Sequence, residues 1–185
     1  MRRTPITSQR SPLARRMYRR PATIAAATML ALGAFTGIAA AVLTASTGAG
    51  QFRMDNRGET VGSTTASIVW VNLPGSDIPV NADSKLINAR FTAESKCGGV
   101  NAGACVVRII AVDAMGITVL DPDSGADFAF DSYVPGGTDG AEGHAMERSR
   151  RLNGGAYIIR VQYAVTNNTM AFTLDDWHFA VETSL

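Results

Sequence analysis

Few side chains in this chain are equipped for chemistry. His144 and His178 are the only histidines in 185 residues. His178 lies two positions after Asp176, so on a strand the two would share a face, and a serine nearby would complete a Ser/His/Asp arrangement. Any strand-rich chain contains such pairs, and a solvated strand histidine accounts for His178 equally well. Asp175 and Asp176 are adjacent carboxylates, the residue type that divides acid and nucleophile roles in glycoside hydrolysis, but neighbours on a strand diverge to opposite faces. The sequence has no Gly-x-Ser-x-Gly elbow, no His-Glu-x-x-His, no phosphate loop and no dinucleotide fingerprint. No catalytic residue is assigned, and the chain reads as a non-enzyme, with a secreted hydrolase as the enzymatic alternative.

Two binding chemistries have more support. Asp121, Asp123 and Asp127 around Gly125 offer the oxygen-rich spacing of a calcium loop. Pro122 interrupts that pattern and the distal Glu of an EF-hand is missing, so an Asp-Pro turn competes with calcium, the one cofactor the sequence offers. Trp70, Tyr133, Tyr157, Tyr163 and Trp177 are candidates for a sugar-stacking platform. Alternation places Tyr157, Tyr163 and Trp177 on a core face, which leaves Tyr133, in a Gly-rich loop, as the ligand-binding candidate of a carbohydrate-binding module.

The charges divide the chain in two. Seven of its 17 basic residues (Arg2, Arg3, Arg10, Arg15, Arg16, Arg19 and Arg20) lie in the first twenty, and all 16 acidic residues lie from Asp55 onward. The remainder carries a net charge of about −6, which argues against a nucleic-acid partner. Behind the basic segment, 1–21, residues 22–45 form an apolar, Ala-rich run long enough to cross a membrane as a helix. The basic flank would stay cytoplasmic and the rest would lie outside. Thr47-Gly48-Ala49 offers a weak cleavage site, so a signal peptide removed on secretion is the alternative to a single-pass anchor. Arg15-Arg16 also has something of a twin-arginine signal. Residues 46–66 are small and polar and read as a flexible linker, with the exported domain at 67–185. In an oxidising compartment the two cysteines, Cys97 and Cys105, are expected to close the Gly-rich loop between them as a disulfide; a metal site would need more ligands than these two.

The elements that must position these groups are strands. Ala156 to Val165 alternates Tyr157, Ile159, Val161, Tyr163 and Val165 against Arg160 and Gln162 between two turn-forming clusters, and is expected to be the middle of an antiparallel meander. Ser67–Asn72 reads as the first strand. Lys85–Ala93 alternates Ile87, Ala89, Phe91 and Ala93 inward. Cys105–Asp113 is apolar on both faces and so central, and His144–Leu152 reads as a polar edge whose Arg148, Arg150 and Arg151 discourage edge-to-edge association. The apolar parity switches between Met170, Phe172, Leu174 and Trp177, Phe179, Val181. That switch requires one extra residue, a bulge at Asp175-Asp176. Some eight short strands with turn signals every 8 to 12 residues and no helical period give an all-β, two-sheet antiparallel sandwich of jelly-roll type. Ile158, Ala164, Val106, Ile110 and Val112 would leave an apolar outer surface, and self-association is one use for it.

An ordered set of motifs, Phe91-Thr92-Ala93-Glu94-Ser95-x-Cys97, Cys105-x-Val107-Arg108-Ile109, Phe128-Ala129-Phe130-Asp131-Ser132, His144-x-Met146-Glu147-Arg148-Ser149-Arg150, Gly155-x-Tyr157, Val161-Gln162-Tyr163 and Leu174-Asp175-Asp176-Trp177, resembles a family of small secreted actinobacterial proteins of unassigned function. That resemblance implies export and paired cysteines, and no activity. More loosely, the Gly-x-Tyr strand and the final strand are similar to C1q- and tumour-necrosis-factor-like jelly rolls and to phage tail-fibre tips, which are trimers. The expected partner is a surface protein or a glycan.

Overall fold

The computed structural model describes residues 42–47, 52–83, 85–122, 129–137 and 140–184. The basic segment and the apolar run through residue 41 lie outside the described residues, as do Asp123 and Asp127 of the calcium expectation. Among the described residues no helix is long and apolar enough to cross a membrane.

Among the described residues twelve strands form two antiparallel sheets. The first sheet has the order β1 (Val42–Thr47), β2 (Phe52–Glu59), β12 (Met170–Ser184), β6 (Leu86–Gly99), β10 (Glu142–Arg151), with β3 (Ser63–Thr65) also on β12. The second has β4 (Val71–Asn72) and β5 (Ile78–Ala82) on one side of β11 (Gly155–Val165). Across β11 lies β7 (Gly103–Asp113), flanked in turn by β8 (Gly116–Val119) and β9 (Ala129–Tyr133). Counting β4 with β5 and β8 with β9 as single edge positions, the chain passes from sheet to sheet at every connection from β5 through β12 except the β7–β8 hairpin. That alternation is the jelly-roll winding. It also corrects the meander expected around β11. The strands before and after β11, β10 and β12, both belong to the opposite sheet, and β11 pairs instead with β4, β5 and β7. Turn residues set where the chain reverses, but not which sheet receives it.

The core forms between the sheets because the alternation places one apolar face of each strand there. Ile87, Ala89, Phe91 and Ala93 of β6 meet Val107, Ile109 and Ala111 of β7 and the inward set of β11. Phe91 is fully enclosed, its ring 5.7 Å from Phe130, 6.2 Å from Trp177 and 6.3 Å from Phe179. In β12 the register slips between Asp175 and His178, with Asp176 at φ 42°. Met170, Phe172 and Leu174 before the slip and Trp177, Phe179 and Val181 after it are all buried. The parity switch is thus a β-bulge, and a short polar side chain sits at the left-handed position it needs.

Several expectations are corrected. Within the segment expected as a linker, residues 52–59 and 63–65 are strands: β2 pairs along Trp177–Ser184 and β3 along Phe172–Leu174. Residues 42–45, expected at the end of a membrane-spanning helix, lie in β1, antiparallel to β2. Main-chain pairing with β12 holds β2 and β3, so polarity did not exclude them from the sheet. Of Ser67–Asn72 only Val71 and Asn72 are in a strand, and Ile68 and Val69 are exposed. Arg148 shares the inward face of β10 with Met146 and is only 4% exposed, so it is not a solvated edge charge; burial lowers its pKa. On the outer face of the second sheet Val106, Ile110 and Ala164 are buried, and only Ile158 of that expected surface is exposed.

The disulfide is formed between Cys97 and Cys105, whose Cα atoms are 5.9 Å apart. Because Cys97 is on β6 and Cys105 on β7, the bond ties one sheet to the other. Elsewhere Asp77 joins the sheets. Its carboxylate accepts Nε and Nη2 of Arg160 on β11 at 2.7 and 2.6 Å, and its carbonyl accepts Nε of Arg57 on β2 at 3.0 Å.

Candidate functional site: a polar cleft between the sheet edges

Where β9 and β10 face each other across the opening between the sheets, a cleft of about 370 Å³ is lined by Phe130, Asp131, Ser132, Glu142 and His144, with Cys97 of the disulfide at its inner wall. A bulge builds it. Cys105 pairs with Asp131 and Val106 with Ala129, so Phe130 is the extra residue on β9. The inserted residue turns the strand so that Phe130 enters the core while Asp131 still reaches Ser95.

Ser95 lies on the inward face of β6 and is almost completely buried. Its hydroxyl donates to Oδ2 of Asp131 at 2.8 Å, and its Oγ lies 2.9 Å from Nδ1 of His144. A carboxylate only accepts, and a hydroxyl has one proton to give. The proton of Ser95 therefore goes to Asp131, and Nδ1 of His144 must carry the hydrogen that it donates to Ser95. The relay fixes the imidazole tautomer and orientation, while Phe130 packs against the ring at 5.5 Å. Oδ1 of Asp131 accepts the backbone N–H of Ser132 at 2.6 Å. Nε2 of His144 lies 3.9 Å from Oε2 of Glu142, whose side chain is 69% exposed.

Ser95, His144 and Glu142 superficially match the membership of a catalytic triad, but the polarity is reversed. The imidazole donates to the serine instead of taking its proton, and Oγ is buried beneath the cleft with its hydrogen engaged by Asp131. What the arrangement supplies is a rigid, acceptor-rich wall.

The structure disperses most of the residues singled out in the sequence. His178 and Asp176 are exposed, and no hydrogen bond among the described residues joins His178 to a serine or carboxylate. Oδ1 of Asp175 accepts the N–H of Asp176 within the bulge. Asp121 pairs with Ser149 of β10 through two backbone hydrogen bonds and receives Nη1 of Arg150 at 3.3 Å. No cluster of three or more metal-ligating side chains occurs among the described residues. Tyr133 is not on a free loop: it ends β9 opposite Gly103, half-buried against the core. Trp70 stacks over Arg108, which donates from Nε to Gln162 on the outer face of the second sheet. A larger depression, about 560 Å³, lies over Val80, Val112, Tyr157 and Ile158. Its one carboxylate, Asp113, accepts the N–H groups of Met115 and Gly116 in the turn. The Ser95–Asp131–His144 relay was missed because its members are 36 and 49 residues apart, on three strands. The one signal for it was a serine on the otherwise apolar inward face between Ala93 and Cys97.

Compared with known proteins, the chain matches no family model and no curated protein.

Proposed function

We propose that this chain is an exported, non-enzymatic β-sandwich that acts at the cell surface as an interaction module, meeting a partner protein through one end of the sandwich. The supporting observation is that four of the nine exposed large apolar side chains among the described residues gather at one end, although Met115 and Ile117 are exposed at the other. Ile68, Val69, Val100 and Val134 are 63, 70, 75 and 66% exposed. All four sit on loops at the end where the β6–β7 and β11–β12 connections meet: Ser67 accepts from Val165, Val100 donates to Thr169, and Val134 follows the Tyr133–Gly103 pair. The disulfide holds that end together, so the side chains are presented with little left to order on binding. Concentrated apolar exposure is the usual mark of an interaction surface. The basic N-terminus, the apolar run behind it and the paired cysteines support export, and a single-pass anchor through residues 22–45 would keep the domain at the surface.

The test is a photo-crosslinker at Val100 in intact cells, with two sets of serine substitutions. Ile68→Ser with Val69→Ser and Val134→Ser should abolish the cross-linked adduct, while Met115→Ser with Ile117→Ser at the opposite end should leave it. Equal loss from both sets would refute the assignment of this end. A glycan array addresses the carbohydrate alternative. Specific sugar binding that disappears in Tyr133→Ala would replace the protein-partner reading.

A further inference from the structure

We propose that the cleft between β9 and β10 is a binding site for an organic cation, the ammonium or guanidinium head of a lysine or arginine side chain on a peptide partner. The proposal stands on the chemistry of the cleft and does not depend on the apolar end described above.

The argument begins with the fixed tautomer. With the hydrogen on Nδ1 held by Ser95, the imidazole of His144 in its neutral form has its lone pair on Nε2, the ring nitrogen nearer Glu142 at the cleft. The Glu142 carboxylate stands beside it, and each oxygen of Asp131 keeps a lone pair beyond the one bond it accepts. Three acceptor groups thus converge, and among the described residues no lysine, arginine or side-chain amide lines the cleft to oppose them. Ammonium and guanidinium groups have only donors, so such a head leaves none of its own polar atoms unsatisfied here. A sugar hydroxyl both donates and accepts, and beyond the Ser132 hydroxyl this wall has few side-chain donors for it. The wall is almost wholly polar, so recognition rests on the charged head and not on the stem behind it. Because Ser95 and Asp131 hold His144 before any ligand arrives, the site needs little reorganisation. Ser95 is in this sense a positioning residue that never touches the ligand.

The experiment is an NMR titration of the full chain in a zwitterionic detergent, following the ring signals of His144. The probes are Nα-acetyl-lysine methylamide and Nα-acetyl-arginine methylamide, with the norleucine derivative as neutral isostere and glucosamine as the sugar arm. Without ligand, the ring nitrogens should report hydrogen on Nδ1; hydrogen on Nε2 would overturn the proposal. The lysine and arginine probes should give saturable shifts at millimolar concentration, at least about five-fold tighter than norleucine. Glu142→Gln, at an exposed position the fold does not depend on, should weaken both about five-fold while leaving the tautomer unchanged. No saturation below about 20 mM, equal affinity for norleucine, tighter binding of glucosamine, or full affinity in Glu142→Gln would each refute it.

Discussion

Replacing Cys97 and Cys105 together by alanine should destabilise the domain by about 3 kcal/mol, and the structure shows where that figure arises. The bond closes a loop with a sequence separation of eight. Loop-closure entropy for so short a loop gives roughly 2.5 kcal/mol. Both sulfurs are buried between the sheets, and their removal adds a smaller packing loss of the order of 1 kcal/mol. The assay is urea unfolding followed by the fluorescence of Trp177, which lies in the core near Phe91 and so reports the loss of that packing. With a slope near 1.5 kcal/mol/M, typical of a domain this size, the midpoint should fall by about 2 M. The slope itself should rise, because the uncrosslinked denatured chain is more expanded. Reduction of the wild type should reproduce most of the shift, and amide exchange should speed up first at Cys97–Gly99 and Gly103–Cys105. A loss below about 1 kcal/mol, or exchange that speeds uniformly across both sheets, would refute the claim that the bond acts as the tie between sheets at that end.

Gly99→Ala should cost about 1 to 3 kcal/mol, since its Cβ would lie 2.6 Å from the Thr169 carbonyl oxygen and 2.9 Å from Cα of Met170, both backbone atoms; thermal unfolding measures it. Asp176→Val should cost about 1 to 2 kcal/mol because a β-branched side chain resists φ 42°, whereas Asp176→Gly should be neutral or slightly stabilising. Burial raises the pKa of Tyr163, so the unfolded chain loses that proton at lower pH than the folded one; the stability it contributes is whole below about pH 10 and falls as pH rises further. In Tyr163→Phe the alkaline branch of the stability curve should be correspondingly shallower, and an unchanged slope above pH 10 would count against it.

The residues of β12 explain why so much of the fold was readable. When apolar side chains alternate strictly, a change of parity has one structural solution, and Met170, Phe172 and Leu174 against Trp177, Phe179 and Val181 located the bulge at Asp175-Asp176. Arg148 was equally readable, since it stands two positions after Met146, but its charge outweighed its parity. The segment Phe52–Glu59 gave no such signal. Its sequence is polar and contains Gly58, and it joins the sheet through main-chain pairing with β12 that no side-chain pattern encodes. The cleft was hidden for a different reason. Alternation along β9 would send Phe130 and Asp131 to opposite faces, and only the slip opposite Cys105 and Val106 lets both be used from the interior side.

The position of β12 has a consequence for how the chain is made. It follows in sequence every strand it pairs with, yet in the sheet it stands between β2 and β6. During synthesis β6 can pair with β10, and β7 with β11, while β2 still has no neighbour to join it to the rest. A nascent polypeptide lacking these fifteen residues therefore has every strand of the second sheet but a divided first sheet, with Phe91 open on the side that Trp177 and Phe179 will cover. The first sheet can close only when β12 arrives, so its completion depends on the last strand to be made.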